Sequence, residues 1–170
     1  MMKKIALLAV LFTGFATLQS CTVEEHYDDY ESMSQVFEIT DDIDVPEDRY
    51  TNSATWDFQP PIYDSDNVIM YRWEGNAWRM LPITYTLNND GDQIYYDYDF
   101  TRYDVKVYAS TNFDIELLSN AEYSAFIRNQ TLRIVVVPGG FAKADYSDYN
   151  ATIKMLGLEN APVKKLDRKK

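Results

Sequence analysis

Between Leu81 and Phe100, apolar and aromatic residues alternate with polar ones on both sides of an Asp90-Gly91 pair. A strand sends successive side chains to opposite faces, so residues two apart share a face. Asp-Gly has the composition of a two-residue type I′ turn. Placing that pair at the tip aligns Leu87 with Ile94, Tyr85 with Tyr96, Ile83 with Tyr98 and Leu81 with Phe100. Every pair is apolar or aromatic, and all lie on one face. Thr84, Thr86, Tyr95, Asp97 and Asp99 fall on the other. A slip of one residue would turn the whole apolar set towards water. The segment therefore reads as a half-buried antiparallel hairpin, and its apolar face needs a second layer to cover it.

A second hairpin follows if Gly75-Asn76 is the tip, pairing Trp73 with Trp78 and Tyr71 with Met80. Met70 and Val68 then join the Leu81 face, which predicts a three-stranded meander. Further strands are expected at Gln35–Thr40, near 54–58 beside the anchors Trp56 and Phe58, at 104–110 with Val105 and Val107 inward, and at 122–127. Leu132 to Val137 is apolar and β-branched apart from Arg133, which suits a central strand buried on both faces. Tyr149, Ile153 and Leu156 recur at helical spacing, with Asp148 as N-cap and Gly157 as stop. The expected fold is all-β: an antiparallel β-sandwich of about seven to nine strands with one short C-terminal helix. It would occupy residues 35–160 as one domain.

The N-terminus reads differently. Lys3 and Lys4 precede an apolar stretch from Ile5 to Phe15, and Leu18-Gln19-Ser20 approach a cleavage point. That stretch is shorter than the roughly 20 residues a membrane span needs. Leu18-Gln19-Ser20-Cys21 resembles the bacterial lipobox, which implies a signal peptide over residues 1–20 and lipid attachment at Cys21. Residues 21–34 carry Glu24, Glu25, Asp28, Asp29 and Glu31 with little aliphatic content, and read as an acidic tether. Glu24-Glu25 so close to the cysteine resembles the export signal of Bacteroidota surface lipoproteins. The implied address is the outer membrane, lipid-anchored and cell-surface exposed.

Cys21 is the one cysteine and His26 the one histidine. A thiolate zinc site, a cysteine nucleophile and a histidine triad are thereby removed from consideration. Loss of Lys3 and Lys4 with the leader takes the formal charge from -11 to -13, and Lys164 to Lys170 hold +4, so residues 21–163 carry -17. A body this acidic repels phosphate backbones, which argues against nucleic acid as a partner. The basic tail over 161–170 reads either as a frayed end or as a contact to anionic headgroups, worth about 1 kcal/mol per charge.

Tyr71-Arg72-Trp73, Trp78, Leu81-Pro82, Asn112-Phe113-Asp114 and Leu132 to Pro138 together resemble a group of small Bacteroidota surface lipoproteins. In some of these a similar β-sandwich domain follows collagen-like repeats, which this chain lacks. The likeness spans roughly residues 35–158. It implies an envelope lipoprotein and no particular activity.

Three candidate chemistries remain. Tyr71, Trp73, Trp78 and Met80 form an aromatic patch suited to a protein or glycan ligand; the competing reading is a second core layer covered by Trp56 and Phe58 or by the C-terminal helix. Asp41, Asp42, Asp44, Glu47 and Asp48, with Asp64 and Asp66, are oxygen ligands of the kind calcium prefers; the competing reading is solvated loops. Asn88-Asn89-Asp90-Gly91-Asp92 is no EF-hand, because Thr86 stands at the first ligand position. A carboxylate pair about 5–9 Å apart would suit a glycoside hydrolase, but no motif nominates a pair. The expectation is a non-catalytic interaction or structural module without cofactor or metal, with carbohydrate binding through the Trp73/Trp78 face as the alternative.

Overall fold

The computed structural model describes residues 33–88, 90–141 and 144–169. The leader 1–20, Cys21, His26 and the tether up to residue 32 lie outside the described residues. Two sheets face each other. The first is built from β1 (Gln35–Asp41), β4 (Asn67–Trp73), β5 (Trp78–Met80), β9 (Gln130–Val137) and β10 (Val163–Lys164), in the order β10-β1-β9-β4-β5. The second holds β3 (Thr51–Asp57), β6 (Ile83–Thr86), β7 (Gln93–Phe100), β8 (Asp104–Thr111) and β11 (Asp167–Arg168), in the order β11-β3-β8-β7-β6, with β2 (Val45–Pro46) also on β3. The all-β sandwich is thus observed. Among the described residues there are eleven strands rather than seven to nine, four of them only two or three residues long.

β9 lies between β1 and β4, as its apolar run requires. Leu132, Ile134 and Val136 point inward to meet Phe37, Met70, Trp56, Ile94, Tyr96, Val105 and Val107 in the main core. Val135 and Val137 point outward into a second cluster with Val36, Tyr71, Leu156 and Leu158. That outer layer is supplied by α2 (Tyr149–Met155), whose N-cap Asp148 accepts from the Ala151 amide at 2.7 Å. Gly157 then leaves the helix at φ +66°, a conformation that favours glycine.

The two hairpins form, but not one meander. Trp73 pairs with Trp78 and Tyr71 with Met80 as expected, and Gly75 turns at φ +83°. Around Asp90-Gly91, Ile83 pairs with Tyr96 and Tyr85 with Ile94, two residues away from the two-residue-turn register. Asn88 explains the longer turn: its Oδ1 accepts from the Asp90 and Asp92 amides at 3.0 and 3.2 Å, and the Leu87 amide donates to the Asp92 carbonyl at 2.8 Å. An even shift keeps every side chain on its face, so Ile94 and Tyr96 remain buried while Ile83, Tyr85 and Leu87 pack against them. Phe100 is the casualty, 38% exposed instead of covered by Leu81. Leu81 has already left the strand. Its amide donates to the Met70 carbonyl at 2.9 Å, and the chain passes from β5 in one sheet to β6 in the other through a cis Leu81-Pro82 bond.

Two further expectations need correction. Residues 122–127 are not a strand: α1 (Asn120–Phe126) occupies most of them, started by a Ser119/Glu122 capping box. Over residues 163–169 the basic tail is not frayed. Val163 and Lys164 pair in parallel with β1, and Asp167 and Arg168 pair antiparallel with β3, so residues 163–169 strap the edge of one sheet to the edge of the other. Leu166 packs against the core between them. Lys165 meets Glu38 at 3.4 Å, Arg168 meets Asp41 at 2.9 Å and also Asp44, and Lys169 meets Asp104 at 2.6 Å. Among the described residues, no helix is long and apolar enough to cross a membrane.

Two predictions concern the strap. Leu166→Ala is expected to lower unfolding stability by about 1 kcal/mol, roughly half the value for a fully buried leucine; an unchanged urea midpoint would mean that the strap adds nothing to the core. The second concerns pH. Burial pushes the Glu38 carboxyl up, but hydrogen bonds from Arg133 and Lys165 outweigh it and hold the group below the usual glutamate range. Lys169, then Thr101, lower Asp104 by hydrogen bonding. Carboxylates with depressed folded values add stability that is complete above the unfolded-chain value, about 4, and is lost as pH falls through the folded one. The gap in urea midpoint between wild type and Lys165→Ala/Lys169→Ala should therefore be full at pH 7 and shrink progressively as pH falls below about 4. A gap of equal size above and below that value would rule the strap ion pairs out as its cause.

Candidate functional site

The outer face of the first sheet carries an aromatic row crossed by one cation. β4 contributes Tyr71 and Trp73, β5 contributes Trp78, and Tyr149 descends from α2. Trp73 and Trp78 have ring centroids 5.0 Å apart, Trp78 and Tyr149 5.5 Å, and Tyr71 and Tyr149 5.1 Å. The Arg133 guanidinium lies 4.4 Å from the Trp78 centroid and 5.1 Å from that of Tyr149, and bonds Glu38 at 2.9 Å. The arginine that interrupts the apolar run of β9 is therefore clamped between two rings and a carboxylate.

This row separates the three expected binding residues. Tyr71 is wholly buried, its hydroxyl donating to the Tyr146 carbonyl at 2.6 Å and lying 3.0 Å from Thr152 Oγ1. Burial pushes that hydroxyl up to about 12. Tyr71 is a core residue, and its place on a binding face is withdrawn. Trp78 is half-buried under Tyr149 and Arg133. Trp73, 38% exposed, is the one of the three at the surface. The cover comes from the C-terminal helix, whereas Trp56 and Phe58 belong to the main core between the sheets.

Trp73 also borders a cleft of about 430 Å³ at the end of the sandwich, where β4 ends, α1 hands over to β9 and the backbone turns. Ser124, Arg128, Asn129 and Thr131 line it with Trp73, and Arg72 and Gln130 lie deepest, both buried. Asn129 sits in the left-handed region at φ 48°, its amide donating to Asp42 Oδ1 at 2.8 Å. Arg72 is 7% exposed. Its guanidinium lies 4.9, 5.2 and 5.6 Å from the Tyr96, Tyr85 and Phe126 rings. Nε donates to Gln130 Oε1 at 2.9 Å, one terminal nitrogen to the Tyr85 hydroxyl at 3.1 Å and the other to the Ala125 carbonyl at 3.0 Å. The Tyr85 hydroxyl in turn donates to Glu74, which also holds Arg79 at 3.1 Å. Sequence reasoning did not single out Arg72, although alternation from Val68 and Met70 puts it on the inward face.

The acid-rich loops are used internally. Glu47 accepts from Ser53 at 2.6 Å and pairs with Lys106 at 2.8 Å, Asp66 accepts from the Tyr63 amide at 3.0 Å, and Asp48 from the Tyr50 amide at 2.7 Å. Among the described residues, no group of three or more His, Cys, Asp or Glu side chains is arranged to hold a metal ion. A second cleft of about 440 Å³ contains Asp44, Asp114 and Glu116. Hydrogen bonds from Arg49 and then from the Glu116 amide hold Asp114 below the usual aspartate range, opposite to what a general acid requires. No protein-family model matches the chain, nor does any curated protein or solved structure.

The Arg72 cluster yields a stability prediction. Arg72→Met keeps much of the volume but deprives buried Gln130 Oε1 of its donor, and is expected to cost about 2 kcal/mol. Arg79→Met, on the solvent side of Glu74, should stay within about 0.5 kcal/mol of wild type. Equal effects in chemical denaturation would deny the buried guanidinium its structural role.

Proposed function

We propose that this chain is a lipid-anchored, non-catalytic interaction module of the cell envelope that meets its ligand at the Trp73 end of the first sheet. The observation that carries the reading is the exposure of Trp73 beside a polar cleft, on a face otherwise covered by α2. Large aromatic side chains at the edge of such clefts are efficient contact residues, because they bring area with little rotamer freedom to lose. Trp78 backs Trp73 at 5.0 Å, and Arg133 backs Trp78 in turn, so the indole is held before a ligand arrives. Support for the anchor is the leader of residues 1–20 followed by Cys21, with the acidic tether separating the lipid from β1. The resemblance to Bacteroidota surface lipoproteins favours the outer membrane and its exterior face.

Anchor and contact face are tested separately. In cells, wild type should take up a fatty-acid probe and sediment with membranes, while Cys21→Ser should be unlabelled and released. Retention of Cys21→Ser in the membrane fraction would refute lipid anchoring. On an array of cell-surface glycans and polymers, Trp73→Ala should lose about tenfold or more of any signal, the effect of one aromatic contact residue. Exposed Tyr103→Ala, 59% exposed in the turn after β7, serves as the control. Indistinguishable signals from Trp73→Ala and wild type would remove this face from the function.

A further inference from the structure

We infer that the Trp73 cleft binds an acidic saccharide, a short glycan or chain end bearing a carboxylate. The inference rests on the reading of the Trp73 end as the contact face and adds the chemical class of the ligand. Its first support is charge. In a body carrying -17 over residues 21–163, this cleft is lined by two arginines and by no carboxylate. At its depth, Arg72 touches rings and neutral acceptors directly, and the Glu74 carboxylate that it helps to keep ionised lies just beyond the Tyr85 hydroxyl. At the rim, Arg128 rests over the Tyr123 ring at 5.1 Å and, among the described residues, is in no ion pair. Its guanidinium keeps its donors for a planar anion, which arginine recognises in bidentate fashion.

Shape and lining supply the rest. A volume near 430 Å³ falls within the range of small-molecule sites, and the cleft lies open at the surface. Trp73 borders the cleft, and its part-exposed indole offers an apolar surface beside it that suits the C–H face of a pyranose ring. Ser124 and Asn129 add a hydroxyl and an amide to the lining, and the Thr131 hydroxyl, bonded to Thr40 at 2.9 Å, adds a third polar group. Asn129 is fixed in place by its left-handed backbone and its bond to Asp42. A long polyanion would meet repulsion from the acidic body, so the fitting ligand places one or a few acidic residues in the cleft.

The test uses trigalacturonate and sialyllactose, their methyl esters and neutral cellotriose, titrated calorimetrically against the mature chain. Both acids should bind, each ester should bind at least about tenfold more weakly through loss of one charge-assisted contact, and cellotriose should be weakest. Arg128→Gln should bring acid and ester to the same affinity, and Trp73→Ala should remove binding of both, with unfolding midpoints showing that each variant folds. Acid and ester binding equally, both still dependent on Trp73, would overturn the charge selectivity and leave the contact face standing. Binding unaffected by Trp73→Ala would remove the face itself. Failure of all five ligands would overturn the acidic-saccharide assignment, and array binding that still depended on Trp73 would then keep the face.

Discussion

A strand that is apolar on both sides has to be covered twice, and β9 imposes that requirement on the whole domain. Leu132, Ile134 and Val136 demand the second sheet, while Val135 and Val137 demand something on the outer face. A seven-residue helix is enough to meet the second demand because Tyr71, Trp78 and Tyr149 are large and interlock with it. Its cover extends over Arg133 through Tyr149 and stops where the row reaches Trp73. The site is therefore the place where the outer layer runs out, and its position follows from how short α2 is.

The sides of the sandwich are closed by two different devices. On the β5–β6 side, covalent continuity through Leu81-Pro82 takes the chain straight from one sheet to the other. On the β1–β3 side, residues 163–169 cross the gap and pair with both edges, which would otherwise present unpaired backbone groups. The strong charge asymmetry of the chain makes sense at this seam. The acids of β1, β3, β8 and the following loops accumulate negative charge, and the basic end is laid across them, so one part of the chain offsets the self-repulsion of another.

The spacing of apolar residues makes both hairpins, the inward set of β8, the central place of β9 and the limits of α2 legible in the sequence. Periodicity reports faces, however, and faces survive an even slip. The two-residue shift at Asp90-Gly91 was therefore invisible to the pattern and depended on how Asn88 caps the turn. The helix at 120–126 was missed for the opposite reason. Its apolar residues fit either period over so short a window, while Ser119 and Glu122 carried the capping signal. Tail pairing involves partners more than 120 residues away, such as Arg168 with Asp41, and no local pattern encodes a contact that distant. The same limit applies to the site. Alternation places Tyr71, Trp73 and Trp78 on one face and leaves open whether that face is exposed or covered; Trp73 is exposed and Tyr71 buried because α2 covers one end of the row and not the other.

Arg72 sharpens the distinction between holding a fold together and equipping a site. Taking a guanidinium out of water costs several kcal/mol, and clusters of buried charge are often matched or exceeded in stability by well-packed apolar residues. Refilling Arg72, Gln130 and Tyr85 together with hydrocarbon would leave the Ala125 and Arg128 carbonyls and the Glu74 carboxylate without the donors these side chains supply. The guanidinium is therefore tied to the backbone around it as well as to the cleft. What the guanidinium supplies and hydrocarbon does not is a fixed positive field under the cleft, with Gln130 and the Ala125 carbonyl locked in place around it. Three rings and three neutral acceptors stabilise the charge without cancelling it as a carboxylate in contact would. Glu74 offsets part of this charge from beyond the Tyr85 hydroxyl, and Arg128 adds a second guanidinium to the cleft's lining, in a domain whose charge is otherwise strongly negative.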